Sequence, residues 1–80
     1  AHNAARRRIL AAIAKLNERE SAVLKMVTDG YANKQIAAEM NVSLRSVEKW
    51  RKDALEKLDI ESPLHLLRLL MQAGFQAWPM

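Results

Sequence analysis

Cysteine is absent from this 80-residue chain, which excludes a disulfide framework and any zinc site built on thiolates. The lack fits a reducing compartment, and the cytoplasm is the expected location. Only two glycines and two prolines interrupt the chain. β-Branched residues nowhere alternate with polar ones over a long run, so sheet is not expected and the chain reads as nearly all helix. No apolar run approaches the roughly 20 residues that a membrane span needs. A charged start followed by an apolar core and a small-residue cleavage site is also missing, so neither a membrane partner nor export is expected. The histidines are His2 and His65 alone. Without cysteine, a carboxylate pair or a glycine-rich loop at catalytic or phosphate-binding spacing, an enzyme is not expected; no catalytic residue, metal site or cofactor is assigned.

What remains is enough to fold. Half of the residues are hydrophobic, so a chain of this length can close one modest core. The net charge is +4, a basic bias that a nucleic-acid partner would explain. Its distribution says more than its size. Between Lys34 and Lys52 stand Lys34, Arg45, Lys49, Arg51 and Lys52 against only Glu39 and Glu48. The chain begins AHNAARRR without an initiator methionine, which points to a piece of something longer.

The excess charge falls on Gln35 to Lys52, QIAAEMNVSLRSVEKWRK, where two short helical patterns meet across a turn. Ile36 and Met40 lie one helical turn apart, as do Val47 and Trp50, with Val42 at the corner between them. Small Ala37 stands where two helices must cross closely. Asn41 tolerates the left-handed backbone that an exit from the first helix needs, and Ser43 is a good N-cap for the second. The outward face of the second helix carries Arg45, Glu48, Lys49 and Lys52, the arrangement of a recognition helix offered to a DNA groove. Lys34, at the start of the first helix, is placed for a phosphate beside free N–H groups and the positive helix end.

Elsewhere the periodicity predicts a helix over residues 4–16, with Ile9, Ile13 and Leu16 on one face. Arg6, Arg7 and Arg8 lead into it, either as an arm that touches phosphate or, preferred here, as the solvated end of a linker helix. Asn17 and Glu20 form a capping pattern that restarts a helix; Ala22, Val23, Met26 and Val27 face inward, and Asp29-Gly30 ends it. The helix from Ser43 is expected to run to Leu58, inward through Val47, Trp50, Ala54 and Leu58. Ser46 is either a phosphate donor or a local cap. Trp50 could stack on a base, but its register with Val47 favours the core edge. Ser62-Pro63 opens the last helix, ending near Gly74-Phe75. Its leucines are too many for one face, so self-association through Leu66, Leu67 and Leu70 is expected. The alternative is that the linker helix or the tail Phe75 to Trp78 covers them.

The stretch LNERESAVLKMVTDGYANKQIAAEMNVSLRSVEKWRKDALEKLDIESPLHLLRLL resembles the DNA-binding domain of the LuxR/FixJ (NarL) family of bacterial transcription regulators. The resemblance covers residues 16–75 and rests on an L-T-x-R-E-x-x-V-L opening, a G-x-x-N-K-x-I-A step and an S-x-x-T-V-x-x-H-R-x-x-x-x-x-K-L recognition helix. It implies an all-α, four-helix helix-turn-helix domain at 17–80, preceded by a linker helix at 1–16 from a missing upstream receiver domain. By the same resemblance Asn33 and Lys34 would face phosphates, Val47 would anchor the third helix in the major groove, and Glu48, Lys49 and Lys52 would face bases. The partners implied are double-stranded DNA, a second copy of the chain, and RNA polymerase. Three positions depart from the pattern: Ser46 for Thr, Asn41 for Gly, and Trp50 for His.

Together these features predict a sequence-specific, dimeric output domain of a two-component response regulator. Arg45, Glu48, Lys49 and Lys52 would read bases, while Asn33, Lys34, Ser46 and Arg51 would hold phosphates. Lys or Arg suits guanine and Glu suits cytosine, so a G/C-containing half-site is mildly favoured. The rival is a protein-interaction module that uses its Leu-rich last helix and no longer reads DNA.

Overall fold

A computed structural model describes residues 3–79; His2 lies outside them. Among the described residues there are five helices and no strand: α1 (Asn3–Ile13), α2 (Glu18–Thr28), α3 (Asn33–Met40), α4 (Leu44–Lys57) and α5 (Pro63–Gln72). No helix among them is long and apolar enough to cross a membrane.

The helix starts follow local chemistry. Asn17 caps α2, accepting from the Glu20 N–H at 2.8 Å while the Glu20 carboxylate accepts from the Asn17 N–H at 3.0 Å. Ser43 and Ser62 cap α4 and α5 in the same way. The first helix ends three residues short of Leu16, because Asn17 must be extended to act as a cap and the chain unwinds through tight turns before it.

Four helix ends share one device. Gly30, Asn41, Asp59 and Gly74 each adopt a positive φ, and the next residue's N–H reaches back to a carbonyl five positions earlier. The residues after them, Tyr31, Val42, Ile60 and Phe75, are all apolar, and three of these pack into the core. Asp59 is the one exit that the sequence pattern does not announce.

The core forms two clusters sharing two struts. The smaller gathers Val23, Ile36, Ala37 and Val47, with Met26, Val27, Met40, Val42 and Trp50 against it. The larger holds Ile9, Ile13, Leu24, Ala54, Leu58, Ile60, Leu66, Leu70, Ala73 and Trp78. Neighbours Val23 and Leu24 turn about 100° apart on α2, so each serves a different cluster. On α4, Val47 and Ala54 lie two turns apart, about 10 Å along the axis. The second helix of the motif is therefore fixed at both ends of its inner face.

One expectation is corrected here. Leu66 and Leu70 are 0% and 2% exposed and cannot line a face for a second copy. They are covered by Ile9 and Ile13 of α1 and by Trp78 of the tail, because these apolar groups come from the chain's own ends. Leu67 stays exposed and shares a stripe with exposed Leu64 and Met71. Arg6, Arg7 and Arg8 are all exposed, and Arg6 also finds partners on its own chain: its Nε donates to the Ala73 carbonyl at 2.9 Å and its Nη2 to the Gly74 carbonyl at 3.3 Å. The guanidinium also lies 4.5 Å from the Phe75 ring centroid, a cation at the negative end of α5.

Candidate nucleic-acid interface

The inner face of α4 is buried through Val47 and Ala54, so its opposite face must meet solvent. Arg45, Glu48, Lys49 and Lys52 are all exposed there, as the sequence pattern expects. An α-helix about 10–12 Å across, carrying such a row, matches the width of a B-DNA major groove, about 12 Å.

The phosphate candidates sit on the flanks. Asn33 and Arg51 are brought together: the Arg51 Nη1 donates to the Asn33 Oδ1 at 2.7 Å, tying the start of α3 to the side of α4. This bond uses one edge of the guanidinium and sets its direction. Lys34 is exposed beside it. The residue preceding α3 is Ala32, whose side chain offers no acceptor to cap the helix; the Ala32 N–H itself is satisfied by the Gln35 Oε1 at 2.8 Å. First-turn N–H groups of α3 thus point outward, a setting that favours an anion. Ser46 lies on the other flank, half-buried, and its hydroxyl oxygen accepts from the Ser43 hydroxyl at 2.9 Å. That leaves the Ser46 proton to donate outward, so capping and phosphate contact are compatible.

Two ion pairs escape sequence reasoning. Glu20 is 3% exposed, and the carboxylate oxygen that completes the α2 cap also accepts from Lys57 Nζ at 2.7 Å. One carboxylate thus starts α2 and clamps the end of α4 to it. On the outer face, Lys49 Nζ lies 2.8 Å from Asp53 Oδ2. The Lys49 hydrogen bond holds the Asp53 carboxyl below the usual carboxylate range, and the same bond raises the lysine above its ordinary value. Both groups are therefore charged throughout the neutral range. An i,i+4 spacing across a helical turn was the available signal for this pair.

If Lys49 reads a base edge, the Asp53 contact sets a condition on DNA binding, since the lysine would have to leave this partner. Exposed pairs at this spacing are weak and salt-screened, so Asp53 directs the lysine without locking it. Asp53→Asn is expected to raise affinity for random duplex by about three- to tenfold, because it frees a cation and removes an anion near the phosphates. Discrimination between sequences should narrow. Titrations against a selected and a random duplex check this, and unchanged affinity on both would refute it. Because the Lys49 hydrogen bond lowers its pKa, Asp53 is neutralised only below the usual carboxylate range; lowering the pH from neutral to that range should leave the pair intact.

Among the described residues no three His, Cys, Asp or Glu side chains are grouped to hold a metal ion. A helix locked into two core clusters by its back, with a mostly basic row on its front and cations on its flank, defines a helix-turn-helix DNA-binding domain.

A family model described as bacterial regulatory proteins, luxR family, matches residues 14–70, and the chain belongs to this family. It is 39% identical over 67 residues to the transcriptional regulatory protein FixJ of Rhizobium meliloti (strain 1021), covering 84% of this chain and 33% of that protein. It is 35% identical over 60 residues to the uncharacterized response regulatory protein YgeK of Escherichia coli (strain K12), covering 75% of this chain and 41% of that protein. Among solved structures, full-length FixJ from B. japonicum matches with a TM-score of 0.84 and 36% identity, over 91% of this chain and 36% of the FixJ chain. The chain therefore spans about two-fifths or less of the length of these relatives.

Proposed function

We propose that this domain is the sequence-specific output domain of a cytoplasmic two-component response regulator, joined through α1 to an upstream receiver domain. Two copies bind a pseudo-palindromic site, with recognition helices about one DNA turn apart. The observation that carries this reading is the exposed row Arg45, Glu48, Lys49 and Lys52 on a helix whose back is buried at Val47 and Ala54. Arg45, Lys49 and Lys52 read guanine edges and Glu48 accepts from cytosine; Asn33, Lys34, Ser46 and Arg51 hold the backbone. Names of relatives as response regulatory proteins support the receiver assignment. The second copy docks on α5 through Leu67 with Leu64 and Met71, the apolar stripe that the core leaves exposed. RNA polymerase is the further partner that such a regulator engages on DNA.

The test is an anisotropy titration against a pool of random duplexes at two salt concentrations, followed by sequencing of the bound fraction. An enriched inverted repeat and a steep loss of affinity with salt are expected. Weak, unselective binding at both salts would instead favour a protein-interaction module, with the exposed Leu64, Leu67 and Met71 stripe as its docking face.

A further inference from the structure

We infer that Arg19 is a DNA-phosphate contact of this domain, seated on the indole of Trp50; the inference rests on the DNA-reading role proposed above. Arg19 is an exposed residue in the first turn of α2. Its guanidinium carbon lies 5.2 Å from the Trp50 ring centroid. Trp50 is half-buried, packed on the cluster of Val23, Ile36, Ala37 and Val47, so the ring is a fixed platform. A cation–π contact of this kind engages a guanidinium through its charge and leaves N–H groups to fork onto an oxyanion.

The position on α4 supplies the second argument. Taking Val47 as the inward direction, Glu48, Arg51 and Leu55 lie on the flank toward Asn33, whereas Ser46, Trp50, Asp53 and Lys57 lie on the flank toward α2. A helix lying in the major groove has a sugar-phosphate strand along each side. The first flank has Lys34 and Arg51 for its strand. On the second, Lys57 is bonded to buried Glu20 and Lys49 is drawn to Asp53. Arg19 is the cation there that, among the described residues, has no carboxylate within salt-bridge distance. An arginine in a first turn also stands against the helix dipole, a placement that favours capture of an anion over stability of α2. Where the family pattern has a histidine, Trp50 thus supports a phosphate contact made by another residue.

The experiment measures affinity of the 80-residue chain for a selected and a random duplex across a salt series, for wild type, Arg19→Ala, Arg19→Lys and Trp50→Phe. Arg19→Ala should weaken both duplexes by the same factor, about three- to tenfold, and lower the slope of log affinity against log salt by about 0.9. Arg19→Lys should restore most of the slope and Trp50→Phe should retain it, because charge and ring survive. Thermal melting should be unchanged in Arg19→Ala, since the side chain is exposed. A wild-type slope in Arg19→Ala, or a loss confined to one duplex, would overturn the assignment while leaving the DNA-reading role intact. Salt-independent or absent binding by the wild-type chain would defeat both.

Discussion

Leu66→Ala should destabilise the folded domain by about 2–5 kcal/mol, the range for truncating a buried leucine in a close-packed core. Leu66 is fully buried among Ile9, Ile13, Leu58 and Trp78, so its removal loses apolar burial and leaves a cavity that these neighbours only partly fill. A domain of this length has a total stability of about 4–12 kcal/mol, so the variant would melt about 10–30 °C lower. Leu67→Ala, one position along, removes an exposed side chain and should change stability little. The pair separates two roles for the leucine-rich helix. Urea or thermal unfolding of both variants, together with their sedimentation behaviour, is the measurement. Intact stability in Leu66→Ala with altered self-association would refute the core assignment.

Lys49→Ala should cost about 1–3 kcal/mol on the selected duplex and relax preference at one base position, the usual loss for a base-reading lysine or arginine. About 1.4 kcal/mol is tenfold in affinity, so the change spans roughly five- to 150-fold. Lys34→Ala, at the outward-pointing start of α3, should weaken selected and random duplexes alike and reduce the salt slope by about one. The contrast matters more than either value, because only a base contact distinguishes sequences. Equal losses on both duplexes for both variants would sink the division of roles. The Asp53 tether tightens the prediction: a base-reading Lys49 would give up its ion pair with Asp53, so the loss on Lys49→Ala is expected to be net of that exchange.

Much of the architecture was legible in the residues. The Asn17–Glu20 capping box, the Ser43 and Ser62 caps, and the left-handed exits at Gly30 and Asn41 all stand where expected. Each is decided within three or four residues, by a side-chain oxygen that reaches its own helix or a backbone that bends without strain. The exposed row Arg45, Glu48, Lys49 and Lys52 follows from the 3.6-residue period once Val47 faces inward. Leu24 is the instructive miss on α2: it is fully buried beside Val23, but in the other core cluster, on a face turned about 100° away. Only a helix serving two clusters has room for both.

The sequence by itself determined that there are five helices, the Asn17, Ser43 and Ser62 caps, the turn at Asn41 and which face of α4 stays exposed. All of these are set by periodicity and by hydrogen bonds that close within a single helical turn. Only the tertiary structure decided which leucines of α5 are core and which remain outside, since Ile9 and Ile13 arrive from the opposite end of the chain. It also decided the cross-helix partners: Arg6 on Ala73, Lys57 on Glu20, Arg51 on Asn33 and Arg19 over Trp50. These pairs lie 18 to 67 positions apart. A local pattern cannot encode them, because a long side chain's partner is whatever the packing of the other helices brings within its reach.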